Sequence, residues 1–408
     1  MSLEPRIIKE TFSRLELSGD KAAAYFYGRL FAENPRLRAL FPPAMDMQRD
    51  RLFQALTTIV FSLDNPMTLD SYLARLGRDH RKFGVRREHY PAVGSALLAT
   101  LRRFAGDGWS PEAEAAWAAA YARAAATMME AAERDAEQNP PWWVAEVVDH
   151  DRRGPDLAVL TLRPGRPLPF AAGQYVTVQT ARWPRVWRPY SVANAPRADG
   201  LLRLQVRAVP GGWVSGALVR HTAAGDSLLL GPALGAMTLD ADSGRDLLLV
   251  AGGTGLAPLK AVAEQAIGSG RRRDVHLLVG ARTERDLYDL PGLRLLESTC
   301  PWLRVTPVVS DDPGFDGMRG TLPEVLDRLH DLEDRDVYVS GPAGMTRRAV
   351  SVLQRLGVPL DRLHHDLLET EGVPVPAAPG TGPESVSETG SGTGRVPVPA
   401  RRGCPAAG

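Results

Sequence analysis

The 408 residues carry 49 Lys and Arg against 48 Asp and Glu, a net charge of +1, with 44% hydrophobic and 24% charged residues. That balance excludes a nucleic-acid or anionic-membrane binder held by bulk charge, and the length suffices for two to four globular domains. Two cysteines, Cys300 and Cys404, exclude a disulfide framework and any thiolate-built zinc or iron–sulfur cluster.

Residues 1–10 are charged and hold no apolar stretch of signal-peptide length. The alanine-rich run after Glu112 is interrupted by Glu114, Arg123 and Glu130, so it is no membrane span. The expectation is a cytoplasmic monomer without nucleic-acid or membrane partners.

Ile8, Phe12 and Leu15 at helical spacing predict a first helix over residues 5–17, with a second over 21–31. Asn34-Pro35 and Pro42-Pro43 break the chain. Leu52, Ala55, Leu56, Ile59 and Leu63 make one stripe of a third helix over 48–63. A fourth spans 69–81 and a fifth 90–104. Ser110-Pro111-Glu112 supplies an N-cap, a first-turn proline and a first-turn acid for a last helix reaching Asp135.

Leu69, Tyr72, Leu73, Leu76 and His80 recur on one helix face, so the His80 imidazole lies on the apolar stripe. The block's other histidine is His89. A single histidine on such a face is most often a core residue. Three neighbours change the weighing: Tyr27 on a Phe-rich helix, Phe41 ahead of two prolines, and Gln48 one turn before Leu52. A haem pocket needs one neutral imidazole on iron and a few well-placed donors opposite.

After Asn139-Pro140-Pro141 the period changes from helical to alternating. Leu202, Leu204 and Val206 alternate with Arg203, Gln205 and Arg207, a half-buried strand. Residues 157–162 and 174–178 read likewise, and six short strands with Gly/Pro turns predict a small closed barrel. Gly173-Gln174-Tyr175 ends one strand pair, and Arg188-Pro189-Tyr190-Ser191 ends another strand. Alternation puts Arg188 and Tyr190 on one side. A cation, an aromatic plane and a hydroxyl are what a flavin dinucleotide needs for its pyrophosphate, ring and ring edge. Alone, the four residues also read as an exposed arginine among ordinary strand residues. Gly211-Gly212-Trp213-Val214-Ser215 opens a short helix whose free N–H groups suit a pyrophosphate, or forms a plain glycine-rich turn.

Leu247-Leu248-Leu249-Val250 is a continuous apolar run, the mark of a parallel strand buried on both faces. It leads into Gly252-Gly253-Thr254-Gly255-Leu256 and a helix, where glycines allow close backbone approach to a pyrophosphate. Residues 275–280 and 303–309 are further strands. Val339-Ser340-Gly341-Pro342 repeats the strand–turn–helix pattern. The tail after Gly372 is rich in Pro, Gly, Ser and Thr and reads as disordered.

The helical block resembles a bacterial globin, specifically the globin part of flavohaemoglobins, through Tyr25-Phe26-Tyr27-Gly28-Arg29-Leu30-Phe31, Asn34-Pro35, Leu40-Phe41 and residues 48–53, 80–83 and 90–99. The glycine turns and the Arg188–Ser191 motif, in this order, resemble the ferredoxin-reductase flavin and nucleotide modules. The resemblance covers residues 1 to 370. It implies a globin-like all-α domain at 1–137, an antiparallel β-barrel FAD domain at 138–243 and a doubly wound α/β NAD(P) domain at 244–370, with the tail at 371–408. It implies haem b with His80 on iron, Phe41 against the porphyrin, Tyr27 and Gln48 as distal donors, and Tyr90 orienting the histidine. Tyr175, Arg188, Pro189, Tyr190, Ser191, Val214 and Ser215 would hold FAD; Gly252, Gly253, Thr254, Gly255, Leu256, Gly341 and Pro342 would serve the nucleotide-binding module. The implied activity is nitric oxide dioxygenase: NAD(P)H reduces FAD, FAD reduces haem, and nitric oxide and O2 become nitrate.

Four positions depart from the family pattern. Ala132, between Glu130 and Glu133, stands where a glutamate supports the proximal imidazole. Asp79 stands where a lysine is common, Ser340 where a cysteine lies near the hydride path, and Leu368 where an aromatic covers the flavin. Asp366 would supply the nearby acid at shorter reach. These departures keep two alternatives open: an NAD(P)H-dependent haem or flavin reductase without fast nitric oxide turnover, and a globin-gated redox or oxygen sensor. Arg282 and Arg285 read as surface charges or as partners of an NADPH phosphate.

Overall fold

The computed structural model describes residues 4–16, 18–240, 242–330, 332 and 334–366. The expectations for Leu368, Cys404 and the tail at 371–408 lie outside the described residues.

Six helices form the first layer: α1 (Pro5–Glu16), α2 (Gly19–Glu33), α3 (Asp46–Phe61), α4 (Pro66–His80), α5 (Tyr90–Ala105) and α6 (Pro111–Ala136). Local chemistry sets their starts. The Asn65 side chain accepts from the Thr68 N–H ahead of Pro66, and the Ser110 hydroxyl accepts from the Ala113 N–H ahead of Pro111. Ile8, Phe12, Leu30, Leu73, Leu101 and Trp117 share the core of this bundle. Gly77 lets α4 meet α6 backbone to backbone, because a Cβ there would run into the Met128 carbonyl. That contact sets the end of α4, and hence His80, against α6.

Six antiparallel strands follow: β1 (Trp143–Arg152), β2 (Leu157–Pro164), β3 (Tyr175–Thr180), β4 (Arg188–Ser191), β5 (Leu202–Arg207) and β6 (Ser227–Leu230), in the order β4-β3-β6-β1-β2-β5. A bridge between Val192 and Leu204 joins the two edges, so the barrel is nearly closed. Val147, Leu160, Leu162, Val176, Val178 and Leu204 fill it. Two local expectations change. Gly173-Gln174-Tyr175 opens β3 rather than ending a pair, with Gly173 at φ +93°. Arg188–Ser191 is itself a four-residue edge strand rather than the end of one, paired with β3 so that Arg188 faces Val178 and Tyr190 faces Val176. Helix α7 (Trp213–Arg220) starts after Gly212, as the glycine pair predicts.

The last layer is a parallel sheet of β7 (Asp246–Gly252), β8 (Val275–Ala281), β9 (Leu303–Val309), β10 (Met318–Arg319), β11 (Arg335–Ser340) and β12 (Leu363–His365), in the order β10-β9-β8-β7-β11-β12. Helices α8 (Leu256–Gly268), α9 (Leu290–Thr299), α10 (Leu322–Leu326) and α11 (Ala343–Arg355) connect the strands. Leu247 to Ala251 are fully buried, as the unbroken apolar run predicts. The chain builds outward from β7 and then returns to β11 on its other side. The loops after β7 and β11 therefore flank the crevice where such sheets bind ligands. No helix among the described residues is long and apolar enough to cross a membrane.

Candidate functional site

The expected site residues fall into three groups. The first lies in the helical bundle. Tyr27 is buried against Phe31 and Phe41, with ring centroids at 5.8 and 5.5 Å. Its hydroxyl donates to the Gln48 backbone carbonyl at 3.3 Å. Burial raises its pKa to about 12, so the phenol stays a donor at neutral pH. Tyr27, Phe41 and Tyr90 belong to one apolar cluster.

His80 ends α4, and its Nδ1 lies 2.7 Å from the Leu76 carbonyl. A carbonyl only accepts, so Nδ1 carries the proton and Nε2 keeps its lone pair. Burial, the largest influence, lowers the imidazole pKa and favours the neutral ring. A neutral imidazole with a free, oriented Nε2 fits an iron ligand. The ring lines a cavity of about 200 Å³ together with Tyr90, Val85, Met129, Ala132 and Glu133. Ala132 thus opens space beside His80 where a longer side chain would reach it. Glu133 is turned to Arg87, whose Nη2 lies 2.7 Å away. The Tyr90 backbone carbonyl accepts from the Tyr121 hydroxyl at 2.6 Å, pinning the start of α5.

The second group lies on the barrel. Tyr175 pairs with Ser191, and Pro189 with Thr177. Burial raises the Tyr190 pKa. Arg188 donates to the Trp187 carbonyl at 2.9 Å and to the Met47 sulfur of α3 at 3.3 Å, a weak acceptor. Arg51 lies close enough to feel its charge: desolvation first, then repulsion from Arg188, lowers the Arg51 pKa, with Asp79 opposing. Two guanidinium groups close enough to repel suit an anion. Val214 and Ser215 are buried in the first turn of α7, where the backbone N–H groups have no intrahelical acceptors.

The third group lines the crevice of the parallel sheet. β7 pairs with β11 so that Ala251 faces Ser340, which brings Gly252 and Gly341 together. A Cβ on Gly255 would strike the Ser340 carbonyl, so that position admits no side chain, and φ +54° favours glycine at Gly253. Thr254 stands between them, Leu256 begins α8, and Pro342 lies against Gly252. The Ser340 hydroxyl donates to Asp366 at 3.0 Å, which ties one departing position to the acid expected nearby.

Sequence reasoning did not find several residues that join the layers. The Lys82 ammonium donates to the Thr177 hydroxyl of β3 at 3.1 Å. The Gln205 amide of β5 donates to Asp289 at 3.2 Å and its carbonyl accepts from the Tyr288 hydroxyl at 2.8 Å. Lys260 of α8 pairs with the same Asp289 at 2.6 Å. Glu264 accepts from the Ala195 N–H at 3.1 Å. None carries a local signal, because each is a polar residue whose partner lies far along the chain.

Comparison with known proteins matches residues 24–128 to a globin family model, residues 145–238 to an oxidoreductase FAD-binding domain and residues 249–351 to an oxidoreductase NAD-binding domain. The chain is 31% identical over 404 residues to a flavohemoprotein of Bordetella pertussis, covering 90% of this chain and 98% of that one. It is 30% identical over 393 residues to a flavohemoprotein of Chromobacterium violaceum, covering 88% and 96%. Among solved structures, a flavohemoglobin from Malassezia yamatoensis with bound FAD and heme superposes with a TM-score of 0.75 over 90% of this chain and 98% of that one, at 18% identity.

Proposed function

The chain belongs to the flavohaemoproteins, oxidoreductases that join a globin to FAD- and NAD-binding modules, and from that premise we propose that it is a nitric oxide dioxygenase. When bound, NAD(P)H, FAD and haem supply a hydride to the flavin, single electrons from flavin to iron, and the conversion of one nitric oxide, one O2 and one electron to nitrate. The domain divisions are proposed at 137/138 and 243/244.

His80 would hold the iron through Nε2, and its Nδ1–H on Leu76 fixes the ring orientation. Phe41 packs beside the distal Tyr27 and limits the space left for ligands. The Tyr27 hydroxyl and Gln48 donate toward the oxygen site; the 3.3 Å bond to the Gln48 carbonyl is long enough to be exchanged for a ligand. Arg188 and the α7 amides would offset the charge of the flavin pyrophosphate, with Tyr190 and Ser191 offering the ring an aromatic surface and a hydroxyl. The Gly252–Leu256 turn and Gly341-Pro342 receive the nicotinamide nucleotide. The protein is proposed to act as a monomer in the cytoplasm.

The carrying observation is that His80, with its Nε2 free, ends a helix whose next turn packs on the barrel strand paired with Arg188–Ser191. The test is nitrate formed per NADH oxidised by purified protein given nitric oxide and O2, beside a visible spectrum for haem and flavin. One nitrate per electron is expected. NADH oxidation with negligible nitrate would reject the dioxygenase reading.

A second reading, a reductase with slow nitric oxide turnover, is favoured by one feature. The cavity beside His80 has Ala132 on its wall, and Glu133 is held by Arg87. A proximal imidazole without a carboxylate partner is less basic and pushes less electron density to iron.

A further inference from the structure

Lys82 is 7% exposed, with a full charge to satisfy. It sits two residues past His80, in the turn that follows α4. Its nearest acid is Asp79, one helical turn earlier, with which it forms an ion pair. Apart from the neighbouring Phe83 ring, its remaining contacts lie across the layer boundary. The ammonium donates to the Thr177 hydroxyl of β3 at 3.1 Å, 95 residues away. It stands 5.5 Å from the centroid of Trp187 and 5.2 Å from that of Phe83, and the two rings meet edge to face. Thr177 alternates with the barrel-core residues Val176 and Val178, so Lys82 covers a position that would face water in a barrel alone. Gly231 leaves room for this: a Cβ there would strike the Thr177 hydroxyl that Lys82 contacts.

A buried ammonium is costly unless each N–H finds a partner. Here an acid, a hydroxyl and two ring faces answer it, and they belong to two domains. The partner strand of Thr177 is β4, with Thr177 opposite Pro189 in the Arg188–Ser191 motif. Trp187 directly precedes that motif. One side chain therefore touches the turn behind His80 and the strand pair that carries the flavin residues.

We propose that Lys82 is a positioning residue that locks the haem helix onto the flavin barrel and sets the separation across which electrons pass from flavin to iron. The inference rests on the haem and FAD assignments above. It also gives Asp79 a role as the local counter-charge that holds Lys82 in place.

The experiment uses the full-length holoprotein and the variants Lys82→Met, Lys82→Arg, Thr177→Val and the double variant Lys82→Met with Thr177→Val. Haem and FAD content are read from the visible spectrum. NADH oxidation with ferricyanide reports the reductase half alone. Anaerobic stopped flow under carbon monoxide reports flavin-to-haem transfer. Electron transfer weakens with separation, so a loosened junction lowers its rate. Lys82→Met should therefore slow transfer severalfold, with cofactor content and ferricyanide rate at parental values. Thr177→Val, which keeps the lysine charge, should slow it in the same direction, and Lys82→Arg should restore most of the rate. The double variant should be no slower than Lys82→Met, because both changes remove one contact. Parental transfer in both single variants, or multiplied defects in the double variant, would overturn the proposal. So would loss of haem in Lys82→Met with normal transfer in Thr177→Val. Absence of transfer in the parent itself would instead remove the haem–flavin reading, and this inference would fall with it.

Discussion

Replacing Tyr27 by Phe tests the distal assignment with little collateral change. The ring keeps its place, because its contacts with Phe26, Phe31 and Phe41 involve the aromatic face and edge rather than the hydroxyl. No cavity opens and no large apolar area changes hands. The lost hydrogen bond, to the Gln48 carbonyl at 3.3 Å, is at the long end of the useful range. Stability should change by no more than about 1 kcal/mol. Oxygen binding should change more. A neutral hydrogen bond to bound ligand contributes about 0.5–1.5 kcal/mol, which corresponds to roughly twofold to twelvefold faster oxygen release. The buried aromatic surroundings, which hold the phenol pKa near 12, favour the upper part of that range. The assay is stopped-flow displacement of oxygen from the ferrous protein, beside nitrate yield and a thermal melt. NADH–ferricyanide activity should stay at the parental value, since Tyr27 lies in the helical bundle. Unchanged oxygen release with unchanged nitrate would refute the distal role and leave Tyr27 as a core aromatic.

His80→Ala should abolish stoichiometric haem while FAD stays bound, and His89→Ala should do little; a full five-coordinate spectrum in the His80 variant would sink the ligand assignment. Arg188→Ala should weaken FAD by about 1.5–3 kcal/mol, roughly tenfold to a hundredfold or more in Kd, with haem content unchanged, read by flavin fluorescence on dilution. His276 donates or accepts across to Thr306 at 3.0 Å, and burial, then Arg304 and Arg335, lowers its pKa to about 4. Its folded pKa lies below the ordinary value of 6.5, so between those values the unfolded chain binds more protons and stability falls as pH falls. His276→Gln should therefore lose less Tm than the parent between pH 7 and pH 5; equal losses would show that His276 does not contribute.

Much of this architecture is local and legible in the sequence alone. The stripe through Leu69, Leu73 and His80, the Ser110-Pro111 start and the apolar run at Leu247–Val250 each report a period or a cap, and each became the expected element. Helix and strand periods depend only on neighbours a few residues away, so a single chain displays them. The places of His80 and Tyr27 on their helix faces, and of the glycine turn after β7, are readable for the same reason, while the roles proposed for them rest on the resemblance to flavohaemoglobins. Strands β1 and β6 were less so. Leu228 and Leu230 point inward on a strand only four residues long, too short for its alternation to stand out.

What tertiary structure alone decided is how the layers meet. Lys82 lies in a run of basic residues, Arg81-Lys82 and Arg86-Arg87, that by sequence is a solvated surface. It is buried because Thr177 and Trp187 arrive from about a hundred residues away. Arg188 reaches Met47 and feels the charge of Arg51 only because α3 comes within side-chain reach of β4. Ala132 matters only because Gly77 allows α6 to approach α4 at backbone distance, leaving the space beside His80 unfilled. Periodicity tells which face of an element is apolar. It does not tell which other element covers that face, because the pairing depends on shape and charge at positions with no regular spacing between them.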